Sequence, residues 1–190
     1  MRLIFVFFAA AVALYGDLHD FASRGISYEW EASPDPLCKK VGVDAFIKCY
    51  DPIPVEVLGQ TSREGMIQWL DVAFDEIYTN FLHAGERARW LTAKERGVPV
   101  GFLMIEMDHF PEEVYLAQMA VDPAYQRRGI ATTMIFSLLD QLPETKKLVV
   151  ITRKANEEAK ALYRALGFTD STYMHEGYSP QLYAGFEYSR

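Results

Sequence analysis

The residues best suited to chemistry follow a predicted strand. Val121-Asp122-Pro123 ends that strand, and the loop from Gln126 to Ala131 leads into a helix that begins near Gly129. The first N–H groups of a helix lack intrahelical partners and carry about half a positive charge, which suits them to bind pyrophosphate. Gly129 lets a ligand approach the backbone, and Arg127 and Arg128 add cationic donors. The alternative is an ordinary strand-turn-helix unit with a solvated arginine pair.

A second motif, Asn156-Glu-Glu-Ala159-Lys-Ala-Leu-Tyr163-Arg-Ala-Leu-Gly167-Phe168, lies one predicted helix and one predicted strand further along the chain. It resembles the N-x-x-A-x-x-x-Y-x-x-x-G-F helix of the GCN5-related N-acetyltransferases. The Gln126–Ala131 loop resembles the Q/R-x-x-G-x-G/A loop of the same family. The resemblance covers about residues 61–190.

The resemblance implies acetyl-CoA as co-substrate and no metal. Family members bind its pyrophosphate on the glycine loop and its pantetheine arm along the preceding strand, and an asparagine often contacts that arm. The matching tyrosine, here Tyr163, is the usual proton donor to the departing thiolate, and the alternative is a tyrosine that only packs on an amphipathic helix. The cofactor-binding residues implied for this chain are Met119, Ala120, Val121, Gln126, Arg127, Arg128, Gly129, Ile130, Ala131, Thr132 and Asn156.

A general base is less clearly indicated. An attacking lysine-type amine has a pKa of about 10.4, so a proton must leave it at neutral pH. Some family members carry a glutamate six positions before the valine that ends the third strand, but Tyr115 stands there in this chain. Glu106, inside the preceding strand, is the best candidate, ahead of other acidic residues of that hairpin. A water chain or a substrate that arrives deprotonated would serve as well.

The predicted function is transfer of an acetyl group to a primary amine, on a small molecule or a protein, by direct attack in a ternary complex. In this family the acceptor groove is built from the helical region after the first strand and from the last hairpin. The resemblance therefore implies that about residues 37–85 and 173–185 form the groove in this chain. The second range holds Tyr173, His175, Tyr178 and Tyr183. Aromatic and acidic side chains would suit a cationic amine, although these tyrosines could equally be exposed without binding anything. The alternative function is a CoA-binding sensor or interaction module without catalysis.

Composition excludes several other classes. The 190 residues carry a net charge of −7, which argues against a nucleic-acid partner, and they are 50% hydrophobic, which indicates a packed core. Two cysteines and four scattered histidines do not indicate a metal site or a disulfide scaffold. The sequence also lacks the motifs of P-loop proteins, dinucleotide-binding Rossmann units and α/β-hydrolases. The oligomeric state stays open, a homodimer included.

The first residues stand apart from the rest. One positive charge and an apolar run from Leu3 to Leu14 make residues 1–16 resemble a secretory signal peptide, with a buried N-terminal element or a misassigned start as alternatives. Export would place the protein outside the cytoplasm and would allow Cys38 and Cys49 to pair, whereas use of acetyl-CoA implies the cytoplasm of its own or another cell. We expect the acetyltransferase domain to span residues 26–190, with the clearest pattern over residues 61–190.

The elements that must position these motifs alternate along the chain. The pattern predicts a mixed, mainly antiparallel sheet with helices on both faces, in the α/β (α+β) class. Prolines 52 and 54 exclude a continuous helix through residues 51–54. The predicted helices lie at 62–85, 129–141 and 156–166. The predicted strands are 26–32, 89–94, 98–107, 114–121, 148–151, 168–175 and 182–188.

Overall fold

A computed structural model describes residues 25–109 and 112–190. The signal-like residues 1–16 lie outside the described residues. Within that part of the chain the strands are β1 Ile26–Glu31, β2 Ala88–Glu95, β3 Val98–His109, β4 Glu113–Val121, β5 Lys147–Arg153, β6 Thr169–Ser171 and β7 Tyr183–Ser189. The helices are α1 Leu37–Tyr50, α2 Arg63–Ala84, α3 Ile130–Gln141 and α4 Glu157–Ala165.

All seven of these strands form one sheet in the order β1-β2-β3-β4-β5-β7-β6. Each neighbouring pair is antiparallel except β4 and β5, which run parallel and are joined through α3. This confirms the predicted mixed, mainly antiparallel sheet. Parallel neighbours end at the same edge of a sheet, so the carboxyl ends of β4 and β5 deliver their loops to one place.

Alternation along the strands creates two apolar faces. On one face Leu103 and Ile105 of β3 pack with Met134 and Leu138 of α3. On the other, Phe102 stacks on Trp90 with ring centroids 4.6 Å apart and meets Phe74 of α2 edge to face. The sheet is therefore covered on both sides, with α1 and α2 on the face opposite α3.

The helix boundaries follow local signals. Ser62 precedes α2, and its hydroxyl caps the helix by accepting a hydrogen bond from the Gly65 N–H at 3.0 Å. Helix α1 was not predicted, because its apolar residues show little periodicity. Tertiary packing stabilises it instead: Gly42 lies so close to the Phe74 ring that a Cβ there would be 2.3 Å from it.

Two sequence expectations need correction. The strand predicted over 168–175 is confined to Thr169–Ser171, because the Ser171 hydroxyl accepts from the Tyr173 N–H at 3.1 Å and the chain then turns. Cys38 and Cys49 are both free and lie eleven positions apart on α1, so the helical rise separates their Cα atoms by about 16 Å. That distance excludes the disulfide considered for an exported protein.

None of the helices in residues 25–109 and 112–190 has both the length and the apolar character that crossing a membrane requires.

Candidate active site

A cavity of about 800 Å³ opens where β4 and β5 come apart. The two strands pair directly from Glu113 and Lys147 as far as Leu116 and Val150, although both continue for several residues. Beyond that point the walls are the ends of the two strands, with α1, α2 and α4 around them. The volume lies in the range of small-molecule and cofactor sites.

The separation leaves one edge of β4 without a strand beside it. Phe102 and Leu103 of β3 pair with Ala120 and Met119 on one side, whereas no register pair among the described residues joins residues 117–121 to β5. The backbone groups that face the cavity are therefore available to an extended ligand, which pairs with a sheet edge as another strand would.

The loop after β4 presents backbone donors at the end of α3. Gly129, the N-cap residue, has φ +79°, and Arg127 is also left-handed at φ +63°. No side chain caps the first turn of α3. Left-handed residues next to a helix N-terminus turn successive N–H groups toward one point, which forms an anion-binding concavity. The strained Arg127 backbone is typical of a functional loop.

Gln126 anchors that loop to two elements. Its Nε2 donates to the Val121 carbonyl at 3.0 Å, and its Oε1 accepts from Lys48 Nζ at 2.7 Å. Sequence reasoning missed Lys48, because it lies 78 positions before Gln126 on a helix that the pattern did not predict. The contact brings an additional ammonium group to the loop.

Most of the predicted cofactor residues come together. Those that line the cavity are Met119, Ala120, Val121, Gln126, Arg127, Gly129, Ile130, Ala131, Thr132 and Asn156. Arg128 is not among the lining residues. Its guanidinium lies over the Tyr125 ring at 4.7 Å and donates to the Ala124 carbonyl at 3.1 Å.

Asn156 is the N-cap residue of α4. Its side-chain oxygen accepts from the Ala159 N–H at 3.1 Å and so caps the helix. The residue thus shapes one wall of the cavity and fixes the start of the helix that carries Tyr163.

Tyr163 lines the cavity from the opposite side to α1 and α2. Only 5% of it is exposed, and its ring packs between Phe168 and Phe186 at 5.5 and 5.7 Å. Burial raises the pKa of its hydroxyl above the usual value of a tyrosine. The hydroxyl therefore stays protonated throughout the neutral range.

Glu106, the predicted base, does not line the cavity. It lies opposite Tyr115 in the β3–β4 pair. Tyr115 stacks on His175 with centroids 5.2 Å apart, and Tyr178 lies beside it at the cavity wall. Burial raises the pKa of Tyr115, and the neighbouring Tyr178 and Glu106 add to the rise. Tyr115 thus neighbours both Glu106 and Tyr178, and Tyr178 lines the cavity.

Only some of the aromatic residues considered for the acceptor groove line the cavity. Tyr178 and Tyr183 line it, whereas Tyr173 and His175 pack on Tyr115 instead. Sequence reasoning missed Tyr50, Trp69 and Arg153, whose positions in three separate elements carry no motif. Glu76 and Glu158 are the carboxylates among the described lining residues. No cluster of metal-ligating side chains occurs in the described part of the chain.

The family model of the acetyltransferase (GNAT) family matches residues 55–168. The chain belongs to that family, as the two motifs indicated. The ribosomal protein bS18-alanine N-acetyltransferase of Salmonella typhimurium is 36% identical over 85 residues, which are 43% of this chain and 54% of that protein. The chain thus matches about half the length of this relative.

Solved structures share the fold. The PaiA N-acetyltransferase of Thermoplasma acidophilum, in complex with coenzyme A, superposes with a TM-score of 0.66 at 14% identity, over 86% of this chain and 99% of that one. A GNAT family acetyltransferase of Elizabethkingia anophelis with acetyl-CoA bound has a TM-score of 0.59 at 15% identity, over 88% and 100% of the two chains. At these identities the likeness establishes the architecture.

Proposed function

We propose that this protein transfers an acetyl group from acetyl-CoA to a primary amine, on a small molecule or a protein, by direct attack in a ternary complex. The observation that carries the proposal is the separation of β4 and β5 beyond Leu116 and Val150. It opens a cavity between a free strand edge and an uncapped helix N-terminus. Family membership supports the same reaction.

The residues present fit acetyl-CoA. The left-handed Arg127 and Gly129 and the first turn of α3 would hold the pyrophosphate, with Lys48 near the loop as an added cation. The free edge of β4 from Met119 to Val121 would pair with the pantetheine amides. Bound there, acetyl-CoA supplies an activated acyl group and a thiol leaving group.

Tyr163 acts in this proposal as the proton donor to the leaving sulfur. A free thiol has a pKa of about 8.5, so protonation assists its departure near neutral pH. The raised pKa of Tyr163 keeps its proton in place, and the Phe168 and Phe186 rings hold the side chain at the cavity. A sensor or interaction module without turnover has no need of such a group, and no observation favours that alternative.

The chain offers a path for the proton lost by the amine. Tyr178 at the cavity wall lies next to Tyr115, and Glu106 stands opposite Tyr115. We place Glu106 at the end of this path as the base, with the tyrosine hydroxyls as relays. Backbone N–H groups on the free edge of β4 would stabilise the charge that develops on the carbonyl oxygen.

The relatives support an amine as the acceptor but do not identify which amine. The Salmonella relative is named for acetylation of an alanine of a ribosomal protein, which is consistent with an amine acceptor here. A screen of amines and N-terminal peptides tests the activity, with free CoA and the acetylated product both measured. Release of CoA that depends on an amine, together with a mass increase of that amine, would establish the proposed function. Binding of acetyl-CoA with no product from any amine would contradict it.

A further inference from the structure

Arg153, the last residue of β5, is a buried cation in the wall of the cavity. Only 7% of it is exposed. None of the ion pairs among residues 25–109 and 112–190 includes it. Its Nε is fully buried and has no hydrogen-bond partner in that part of the chain. A buried charge normally has a counter-charge, so this guanidinium is suited to bind an anionic group of a ligand.

Three aromatic rings hold the guanidinium in place. The distances from its central carbon to the ring centroids are 5.5 Å for Tyr50, 5.8 Å for Trp69 and 5.0 Å for Tyr183. Cation–π contacts of this kind orient a guanidinium and offset part of its desolvation, but they leave its charge in place. The rings already hold this cation, so they are poorly placed to receive an ammonium group of the substrate. The sequence suggests Tyr183 as part of a site for a cationic substrate. In the structure, the cation that it contacts is the protein's own Arg153.

The position of Arg153 places it on the acceptor side. Leu148 and Val150 of β5 pack in the same cluster as Tyr163. Residues two apart on a strand share a face, so Arg153 belongs to the opposite face, where Tyr50 of α1 and Trp69 of α2 meet it. The pyrophosphate loop lies elsewhere, at the end of β4.

We propose that the acceptor is a small amine that also carries a carboxylate, and that Arg153 binds this carboxylate. The inference rests on the proposed function. A planar guanidinium matches a carboxylate through two parallel hydrogen bonds, which orients the substrate as well as attracting it. During transfer the N–C bond forms, the C–S bond breaks, the amine loses one proton, the sulfur gains one, and the carboxylate is unchanged.

The test compares acceptors that differ only in that group. In one set, each α-amino acid is compared with its own C-terminal amide. In the other, each ω-amino acid of two to six carbons is compared with an alkylamine of equal length. At least one carboxylate-bearing amine should show kcat/KM about 10–100-fold above its partner, the range of hydrogen bonds to charged groups. Peptides with a free N-terminus are assayed alongside. Selection of peptides, with no dependence on a carboxylate, would overturn the inference and leave the acetyltransferase activity standing.

The variants Arg153→Met and Arg153→Lys locate the effect. Arg153→Met should lose the preference by raising KM for the carboxylate-bearing amine, while KM for its uncharged partner and the affinity for acetyl-CoA stay unchanged. Arg153→Lys should recover part of the preference. Arg164→Met is the matched control, because Arg164 also lies over a ring, Phe186 at 5.4 Å, but is not part of the cavity wall. An equal loss for both acceptors, or loss of acetyl-CoA affinity, would contradict the assignment.

A binding measurement separates this inference from the proposed function. Calorimetry in the presence of CoA compares N-acetylated amino acids with N-acetylated amino acid amides, on the intact protein and on Arg153→Met. Tighter binding of the carboxylate form, abolished by the substitution, supports the carboxylate site even if no amine is turned over. Equal binding of the two forms overturns it. Trp69→Leu, which removes one ring and keeps the charge, should weaken the same preference.

Discussion

Leu116 of β4 and Val150 of β5 are the last paired residues of the two parallel strands, and the cavity begins directly beyond them. All the proposed chemistry depends on this separation. One strand leads to the Gln126–Ala131 loop, whereas the other leads to Arg153 and to the helix that carries Tyr163. A single break in pairing thus brings the proposed donor site, the proposed proton donor and the proposed acceptor site around one cavity.

Gly129→Glu should abolish binding of acetyl-CoA. The substitution puts a carboxylate where the pyrophosphate would lie and forces a side chain into a left-handed backbone. Acetyl-CoA at 100 times its dissociation constant should stabilise the unaltered protein by about 2.7 kcal/mol, measured as a thermal shift. Gly97→Glu is the control, because Gly97 has the same φ of +79° with open space around it. A ligand-induced shift that survives in Gly129→Glu would contradict the proposed site.

Tyr163→Phe should lower kcat by about 10–1000-fold, in the range of general acid catalysis and below, with little change in acetyl-CoA affinity. The substitution keeps the ring contacts with Phe168 and Phe186 and removes only the hydroxyl. Tyr188→Phe, which alters a tyrosine outside the cavity wall, is the control and should keep its activity. Unchanged kcat in Tyr163→Phe would mean that the residue only packs.

The pH dependence gives an independent check on Tyr163. Its pKa is raised, so the hydroxyl keeps its proton until the pH exceeds the ordinary tyrosine value of about 10. Loss of the acid by ionisation should therefore produce no fall in kcat between pH 7 and 9. A fall in that interval that disappears in Tyr163→Phe would contradict the raised pKa.

Glu106→Gln should lower kcat most at low pH, where the largest fraction of the amine is protonated and needs a base. The loss of kcat should shrink as the pH rises. Tyr178→Phe should reproduce the effect if the proton passes through that hydroxyl. Glu29→Gln, an exposed substitution on β1, is the control. A pH-independent loss in Glu106→Gln, with a matching loss of thermal stability, would assign Glu106 a structural role instead.

Gly42→Ala should destabilise the fold by about 1–3 kcal/mol, the usual effect of overpacking, even though alanine favours helix. The added Cβ would lie 2.3 Å from the Phe74 ring, so α1 and α2 would have to move apart. Chemical denaturation measures the change. Combining it with Phe74→Leu should recover part of the loss, since the smaller side chain makes room. If the changes in unfolding free energy of the two substitutions are strictly additive, the contact between Gly42 and Phe74 does not limit how closely α1 and α2 approach.

A chain that begins at Asp17 should fold and keep its affinity for acetyl-CoA, because we assign residues 1–16 to a signal-like segment. Thermal unfolding with and without acetyl-CoA compares it with the full chain. Aggregation of the shorter chain would mean that the apolar run belongs to the core. Mass spectrometry of the N-terminus in cells tests cleavage separately.

The sequence by itself determined the family, the order of most elements and the position of the loop that we assign to the cofactor. These features are local: a strand, a loop with Gly129 and a helix start within a few residues of one another, and Tyr163 follows Asn156 at fixed helical spacing. Local spacing survives folding, so the motifs predict geometry directly. Helix α1 was not predicted because it is stabilised by packing against Phe74, which lies far away in the sequence.

Only the tertiary structure brings together the residues of the proposed acceptor side. Tyr50, Trp69, Arg153 and Tyr183 lie in four different elements and meet because the sheet brings β5 beside β7 and the helices cover one of its faces. No pattern along the chain records that an arginine has become buried among rings without a carboxylate. Burial and pairing are properties of contacts between distant residues, so the unpaired charge of the proposed acceptor site can be recognised only in the folded chain.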